Sequence, residues 1–490
     1  MKSKKTIATF TFCLGLFAAP FGDNFSSKLF AQNEIDALRY SQLTYGGTAR
    51  FAAMGGAFGS LGGDFSVLST NPAGLGIYRK SEFTFTPSFF NQKTTSNFKG
   101  NELDDYKYNV NFNNAGIILS YYEPETTKAW KGLSFGFGYN RLANFHNRIS
   151  MSGKNTQNSL LDIYVADAQG SGGDTSAMDP FSTQLALSSG AIFMDTSNGV
   201  FYHNMQGAYG EEQSKSITSS GSMGETVFSL AGNYSDKLYM GATFGIPHIR
   251  YHEESSYIET ADTNAWNGFK SFELNQDSRT TGVGFNFKFG MIYKPTDWFR
   301  IGGALHTPTY FEMHDDWSSD VTANFSNASY SSESPTGLYD YSLITPMRTI
   351  GSIGFVIMKM GLVGIDYEFV DYPSATLRSS KYKYINENKA IRNKYVEGNN
   401  IRFGTEWRLQ PMSIRGGIAY YSSPFQQDGS GSRIDYSAGI GFREDNFFLD
   451  FAFVLSQTKD NYFFYDATKI SPSVNESRSS SILMTLGFKF

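Results

Sequence analysis

The stretch that decides the fold is Gly282-Val283-Gly284-Phe285-Asn286-Phe287-Lys288-Phe289. In an extended chain successive side chains point to opposite faces, so Val283, Phe285, Phe287 and Phe289 share one side and Gly282, Gly284, Asn286 and Lys288 the other. One side suits lipid and the other suits water. The same alternation sets Leu133, Phe135, Phe137 and Tyr139 against Ser134, Gly136, Gly138 and Asn140, and Ile401, Phe403, Thr405 and Trp407 against Arg402, Gly404, Glu406 and Arg408. It recurs at the end, where Ile482, Met484, Leu486, Phe488 and Phe490 oppose Ser481, Thr485, Gly487 and Lys489. From about residue 81 onward 14 such segments follow one another.

Connection lengths alternate as well. Short turns are expected near Glu123 to Lys131, Ser235 to Lys237, Lys294 to Asp297, Met358 to Met360, Gln410 to Pro411 and Arg443 to Asn446. Between them come longer polar loops near 92–106, 149–223, 250–279, 313–341, 372–396, 423–432 and 456–478. Short turns on one side, long loops on the other and an even strand count describe an outer-membrane barrel with both ends in the periplasm. Closure removes the sheet edges that hydrocarbon would leave unpaired. Tyr121-Tyr122, Tyr420-Tyr421 and Phe447-Phe448 stand at strand ends, where interfacial aromatic girdles form. The expected fold is an all-β membrane protein, a 14-stranded antiparallel transmembrane β-barrel over 80–490 with a long extracellular loop at 149–223.

Composition agrees. Among 490 residues there are 49 Gly, 44 Phe and 30 Tyr but only 14 Pro, and charged residues make up 18 %, a mix too aromatic for disorder and too poor in helix formers for a helical protein. A net charge of −5 removes the basic footprint of a nucleic-acid binder. The single Cys, Cys13, excludes a disulfide framework and a thiolate metal cluster. Lys2, Lys4 and Lys5 precede an apolar run from Thr6 to Ala19, shorter than the roughly 20 residues that span a bilayer. Residues 1–31 therefore read as a secretory signal peptide cut near Ala31, with a cut nearer Ala18 or Ala19 as the alternative, and Cys13 leaves with it.

Residues 32–79 do not alternate. They carry a short helical pattern around Glu34 to Leu43, the small-residue run Ala52-Ala53-Met54-Gly55-Gly56-Ala57, further glycines, and Leu68-Ser69-Thr70-Asn71-Pro72-Ala73-Gly74-Leu75. A segment of this length and composition feeding a barrel is expected to fold back inside it as a plug. Pro72 biases Asn71 away from helix, and the Asn71 side chain can bond the backbone two residues on, fixing a tight turn. That turn serves equally well as a purely structural element.

In Asn71-Pro72-Ala73, placed just before the first of 14 strands and approached by glycines and Asp64, the chain resembles the FadL-type transporters of the Gram-negative outer membrane, whose N-terminal hatch ends in an NPA triplet. The resemblance covers the whole chain after the leader, and the final Phe490 resembles the C-terminal aromatic recognised by the barrel-assembly machinery. It departs from the family in the long insertion between the third and fourth strands. The resemblance implies a monomer without cofactor that carries a hydrophobic small molecule, fatty-acid-like or aromatic, through a lateral opening where the third strand kinks. That strand carries Gly136, Gly138, Asn140, Arg141, Leu142, Ala143 and Asn144, and its alternation ends at Asn140, so the opening is expected from Gly138 to Asn144.

Lys288, Arg300, Asp366, Glu368, Arg402, Glu406, Arg408, Arg415 and Asp450 fall on the water-facing side, because a Lys or Arg facing mid-bilayer lipid costs about 2–4 kcal/mol. Most are expected to pair across strands and hold the hatch, while one or two of Arg402, Arg408 and Arg415 are candidates to bind a carboxylate ligand. Leu160, Leu161, Ile163, Val165, Phe181, Leu185, Leu187, Ile192, Phe193 and Met194 suggest an outer groove for cargo, or a cap that packs only on itself. His248 and His252 lie about 13 Å apart on a strand, too far for one metal. No phosphate loop or nucleophile set recommends an enzyme. The reading is passive uptake of hydrophobic compounds. The alternative is a FadL-related barrel acting as a protein-binding adaptor or secretion-system shuttle; a general porin fits poorly with a hatch in the channel.

Overall fold

The computed structural model describes residues 33–262, 265–358, 360–426 and 430–490; the expected signal peptide lies outside them. Fourteen antiparallel strands close into a barrel. They run Glu82–Phe98, Asn101–Tyr122, Trp130–Asn144 continued by Asn147–Lys154, Glu212–Tyr234, Leu238–Thr260, Phe269–Tyr293, and Phe299–His306 continued by Tyr310–Phe325. The eighth is Gly337–Ile344 with Arg348–Ile357, followed by Gly361–Val370, Gly398–Leu409, Met412–Tyr421, Arg433–Arg443, Phe447–Tyr462 and Ser473–Lys489. The last strand pairs with the first from Glu82↔Lys489 to Asn97↔Val474, so the sheet has no end.

Alternation sets the two faces. On the sixth strand Val283, Phe285, Phe287, Phe289, Met291 and Tyr293 are all exposed on the outside while Asn286 and Lys288 are buried inside. The pattern repeats around the wall with Phe83 and Phe85, Leu133 to Phe137, Ile401 and Phe403, and Ile482 and Phe488. An exposed apolar belt of this extent is stable only where lipid covers it.

Four of the expected long loops are largely strand. The first two strands meet at Lys99–Gly100, both at positive φ as a two-residue hairpin requires, so 92–106 is ladder rather than loop. Likewise the fifth strand runs to Thr260, the seventh to Phe325 and the thirteenth to Tyr462. Ladder hydrogen bonds need no apolar face, so strands persist past the membrane after their hydrophobic alternation has faded.

The connection expected over 149–223 narrows to 155–211, because strands take Asn147–Lys154 and Glu212 onward. It folds as helices Leu160–Gly170 and Thr183–Ser188 and a small hairpin, Ile192–Asp195 with Val200–His203. Leu161, Leu185, Ile192 and Phe201 are buried in a core shared with Phe98, Tyr257, Phe272, Val321 and Phe464 from the strand ends and a neighbouring loop. These side chains pack on one another as a cap, while Ile163, Val165, Leu187 and Phe193 are half-buried and Met194 is exposed. Asp162 fixes this cap. Its burial raises the carboxyl pKa, but bonds from His203, the Ser159 backbone and Tyr209 outweigh that and hold it below the usual carboxylate range.

Residues 33–79 sit inside the barrel. Helix Glu34–Arg39 packs Ala37, Leu38 and Tyr40 against Ile249, Phe311, Tyr341 and Ile391. Below it come helix Ala49–Ala53 and two 3-10 turns, Phe65–Ser69 and Pro72–Ile77. Inward-facing glycines make their socket. A Cβ on Gly404, Gly364, Gly302 or Gly241 would stand within 2.4 Å of a hatch carbonyl oxygen, from Met54, Ala57, Gly59 and Pro72 respectively.

Candidate functional site

The hatch is tied together and then tied to the wall. Thr48 caps helix Ala49–Ala53, and its hydroxyl donates to both oxygens of Asp64 (2.9 and 2.8 Å), which in turn caps the next turn by accepting from the Ser66 amide at 3.0 Å. The Asn71 Oδ1 accepts from the Ala73 amide at 3.2 Å, and its Nδ2 donates to the Gly59 carbonyl at 2.5 Å and the Met291 carbonyl of the sixth strand at 3.4 Å. Asn71, Pro72 and Ala73 thus press on the wall at Gly290 and Gly241, where any side chain would collide with them. Asp64, Asn71, Pro72 and Ala73 are buried, and their polar groups bond to the chain itself.

Buried charge locks this unit in place. Glu406 accepts from Arg50 of the hatch (2.6 Å), Arg408 (2.9 Å) and Arg415 (2.8 Å), and Arg415 also donates to Asp450 at 2.6 Å. Glu368 holds Arg402 and Arg348, and Arg348 also reaches the Ser41 carbonyl of the hatch. Asp366 accepts from the Gly59 amide at 2.9 Å, and Glu225 takes Lys288 and the Ser69 hydroxyl (2.9 Å). Charges this deep are stable only when paired and hydrogen-bonded. Of the three arginines considered as carboxylate ligands, Arg415 is enclosed by its two acids, Arg402 keeps one face on a lumen cavity, and Arg408 lines a separate cavity at the short-turn end.

The third strand departs from the rest of the wall. Its ladder to the second strand runs from Tyr122↔Gly132 only to Asn114↔Asn140. Among the described residues no strand pairs with the facing edge of the second strand from Asn101 to Asn113, and only side chains bridge it, Asn109 to His146 at 3.0 Å and Arg148 to Asp105 at 3.4 Å among them. The third strand bulges at Arg141 to Ala143 and breaks again at Phe145 and His146, then resumes beside the fourth strand. Its outer half turns inward. Asn147 accepts from Gln92 (2.9 Å) and Thr94 (3.1 Å), side chains of the first strand, so it passes over the lumen side of the second.

The hatch occupies the edge left free. Thr44 donates its amide to the Leu142 carbonyl at 2.7 Å, and Gly46 donates to the Arg141 carbonyl at 2.8 Å. Leu142 and Ala143 are buried in the hatch core, Asn140 donates to Ser69 of the hatch at 2.9 Å, and the Arg141 Nε bridges to the Phe112 carbonyl at 3.2 Å. Gly138 is not the bend. A Cβ there would lie 2.4 Å from the Ala115 carbonyl and 2.7 Å from Phe65, so this glycine makes room for the hatch and for the second strand, and the strand turns a few residues later. His248 stacks beside Tyr139 and His252 bonds Asp277 at 2.8 Å, so the two histidines do not converge.

No family model and no curated protein matches the sequence. Solved structures do match. A FadL homologue of Pseudomonas aeruginosa aligns with a TM-score of 0.56 at 13 % identity, over 92 % of this chain and 99 % of its own. The toluene transporter TodX of P. putida aligns with a TM-score of 0.51 at 11 % identity, over 90 % and 98 %. The chain has a FadL-type fold.

Within this FadL-type barrel a cavity of about 320 Å³ lies between the hatch and the broken seam. Asn111 and Asn113 of the second strand and Arg141 and Asn144 of the third form its side toward the gap. Hydroxyls line the other side, with Ser477, Ser479 and Ser481 on the fourteenth strand, Ser456 and Ser88 on its neighbours and Ser437 one strand further on. Sequence reasoning passed over this lining, although three serines at every second position stand in plain view between 477 and 481. Outside the gap the lips are apolar, with Tyr108, Val110 and Phe112 exposed and the Phe112 ring 5.0 Å from Tyr139.

Proposed function

We propose that this protein is an outer-membrane channel for passive, diffusion-driven uptake of hydrophobic small molecules, which leave the lumen through the gap between the second and third strands. The observation that carries this reading is the ladder that stops at Asn114↔Asn140 beneath a cavity. A greasy solute forced into water would lose about 25 cal/mol per Å² of apolar surface, so a doorway in the wall with aromatic lips suits it better than an axial pore. The hatch closes the axial path with buried ion pairs, which fits a wall route and not a porin. An adaptor has no use for a broken seam. That TodX is a toluene transporter supports an aromatic or similarly apolar cargo. In this reading the barrel is a monomer whose partners are its cargo, the surrounding lipids and the assembly machinery, and its short turns and both ends face the periplasm.

Asn111→Trp tests the route, because an indole there fills the inner side of the gap. In proteoliposomes, uptake of radiolabelled toluene is expected to fall at least about tenfold while heat-modifiability of the barrel on gels stays normal. Wild-type uptake by a correctly folded Asn111→Trp would overturn the wall route.

A further inference from the structure

Helix Ala49–Ala53 separates two cavities. Phe51 and Ala52 face the lumen cavity, whereas Arg50 faces a second one of about 400 Å³ at the short-turn end. Arg50, Arg79, Lys80, Arg408, Arg443 and Lys489 line this second cavity, and among the described residues the only carboxylates lining it are Asp64 and Glu82. Two carboxylates against six cations leave the lining net positive, even with Glu82 paired to Lys489 at 3.8 Å and Arg79 to Asp236, outside the lining, at 3.7 Å. Just behind the lining, Glu406 already serves three guanidiniums, those of Arg50, Arg408 and Arg415. The Arg443 Nε is shielded from solvent with no hydrogen-bond partner among the described residues, its guanidinium 5.2 Å from the Phe448 ring centroid.

We infer that this vestibule is a binding site for a small anion with a carboxylate or phosphate head. A recess lined by one sign of charge and walled by protein of low dielectric concentrates ions of the opposite sign. Guanidiniums present paired donors that match the oxygens of carboxylate and phosphate. The volume suits one small molecule and is too small for a folded partner. The anion comes either from the head group of an amphipathic cargo that reaches the vestibule from the periplasmic side or from a free periplasmic solute. The site stands whether or not cargo crosses the wall, because it is built from different residues on the far side of the hatch.

The test is equilibrium titration of the full barrel in a non-ionic detergent with hexanoate, with inorganic phosphate and with hexanol as the neutral probe. Hexanoate or phosphate is expected to bind, more weakly as salt rises, and at least about tenfold more weakly to Arg443→Gln/Arg79→Gln, which is about 1.4 kcal/mol. Lys294→Gln, a cation at the same end outside the cavity, is expected to bind as the wild type does. Hexanoate much tighter than phosphate identifies a cargo head group, and equal binding identifies a free anion; both support the site. Binding of neither anion, hexanol binding as tightly as hexanoate, or wild-type affinity in the folded double variant would overturn it. Because this readout is independent of uptake, it can fail while Asn111→Trp still blocks transport, and the reverse.

Discussion

Two seams of the same barrel behave differently. The first and fourteenth strands stay paired from Glu82↔Lys489 to Asn97↔Val474, well past the apolar belt, although their outer halves are mostly Ser, Thr and Asn. The second and third part at Asn114↔Asn140. Weak strand propensity is not the reason, since the second strand remains fully paired with the first down to Phe98↔Asn101. What differs is the partner. The third strand turns inward at Arg141 to His146, and Thr44 and Gly46 of the hatch take the hydrogen bonds that the second strand would have made. An opening in a β wall is made here by drawing one strand away and giving two of its edge carbonyls, those of Arg141 and Leu142, another partner.

Hydrogen exchange probes the contrast most strongly. Amides between Leu103 and Asn113 that face the third strand should exchange several orders of magnitude faster than those between Asn475 and Thr485, because only the latter lie in a closed ladder. Equal protection would mean that the gap is bonded in the membrane. Next in size is Glu406→Ala, which strips three guanidiniums of their shared carboxylate and should lower unfolding stability in urea by about 3–5 kcal/mol. This change loosens the hatch beneath both seams. Gly290→Val drives a side chain into Asn71 and should cost about 1–3 kcal/mol by the same measurement, through the hatch and not the wall. Smallest is Phe112→Ala at the lip, worth about 0.5–1.5 kcal/mol for its lost ring contact with Tyr139, with the closing seam unchanged in exchange.

Much of this was legible because lipid on one side and a filled lumen on the other write themselves into every second residue. The 14 segments, the inward charges and the turn at Asn71 follow from that rule and from local chemistry. The outer strand halves were misread as loops, since water on both faces erases the alternation without breaking the ladder. The opening expected from Gly138 to Asn144 contains the bulge at Arg141 to Ala143, whereas Gly136 and Gly138 accommodate Leu68 and Phe65 of the hatch, a contact that no local pattern reveals. The clamp between Arg50 and Glu406 joins residues 356 positions apart, so charge alone marked each as inward and could not pair them. The end of alternation at Asn140 was visible, but the hatch segment from Thr44 to Gly46 that bonds the strand just beyond it was not.

The most direct measurement tethers the gap. With Cys13 replaced by Ser the chain has no other cysteine, so Phe112→Cys and Tyr139→Cys can be bridged by a short reducible bis-thiosulfonate across the lip. Bridging should abolish toluene uptake into proteoliposomes and reduction should restore it, with either single variant unaffected by the reagent. Uptake that continues unchanged through the tethered barrel would contradict passage between these two strands.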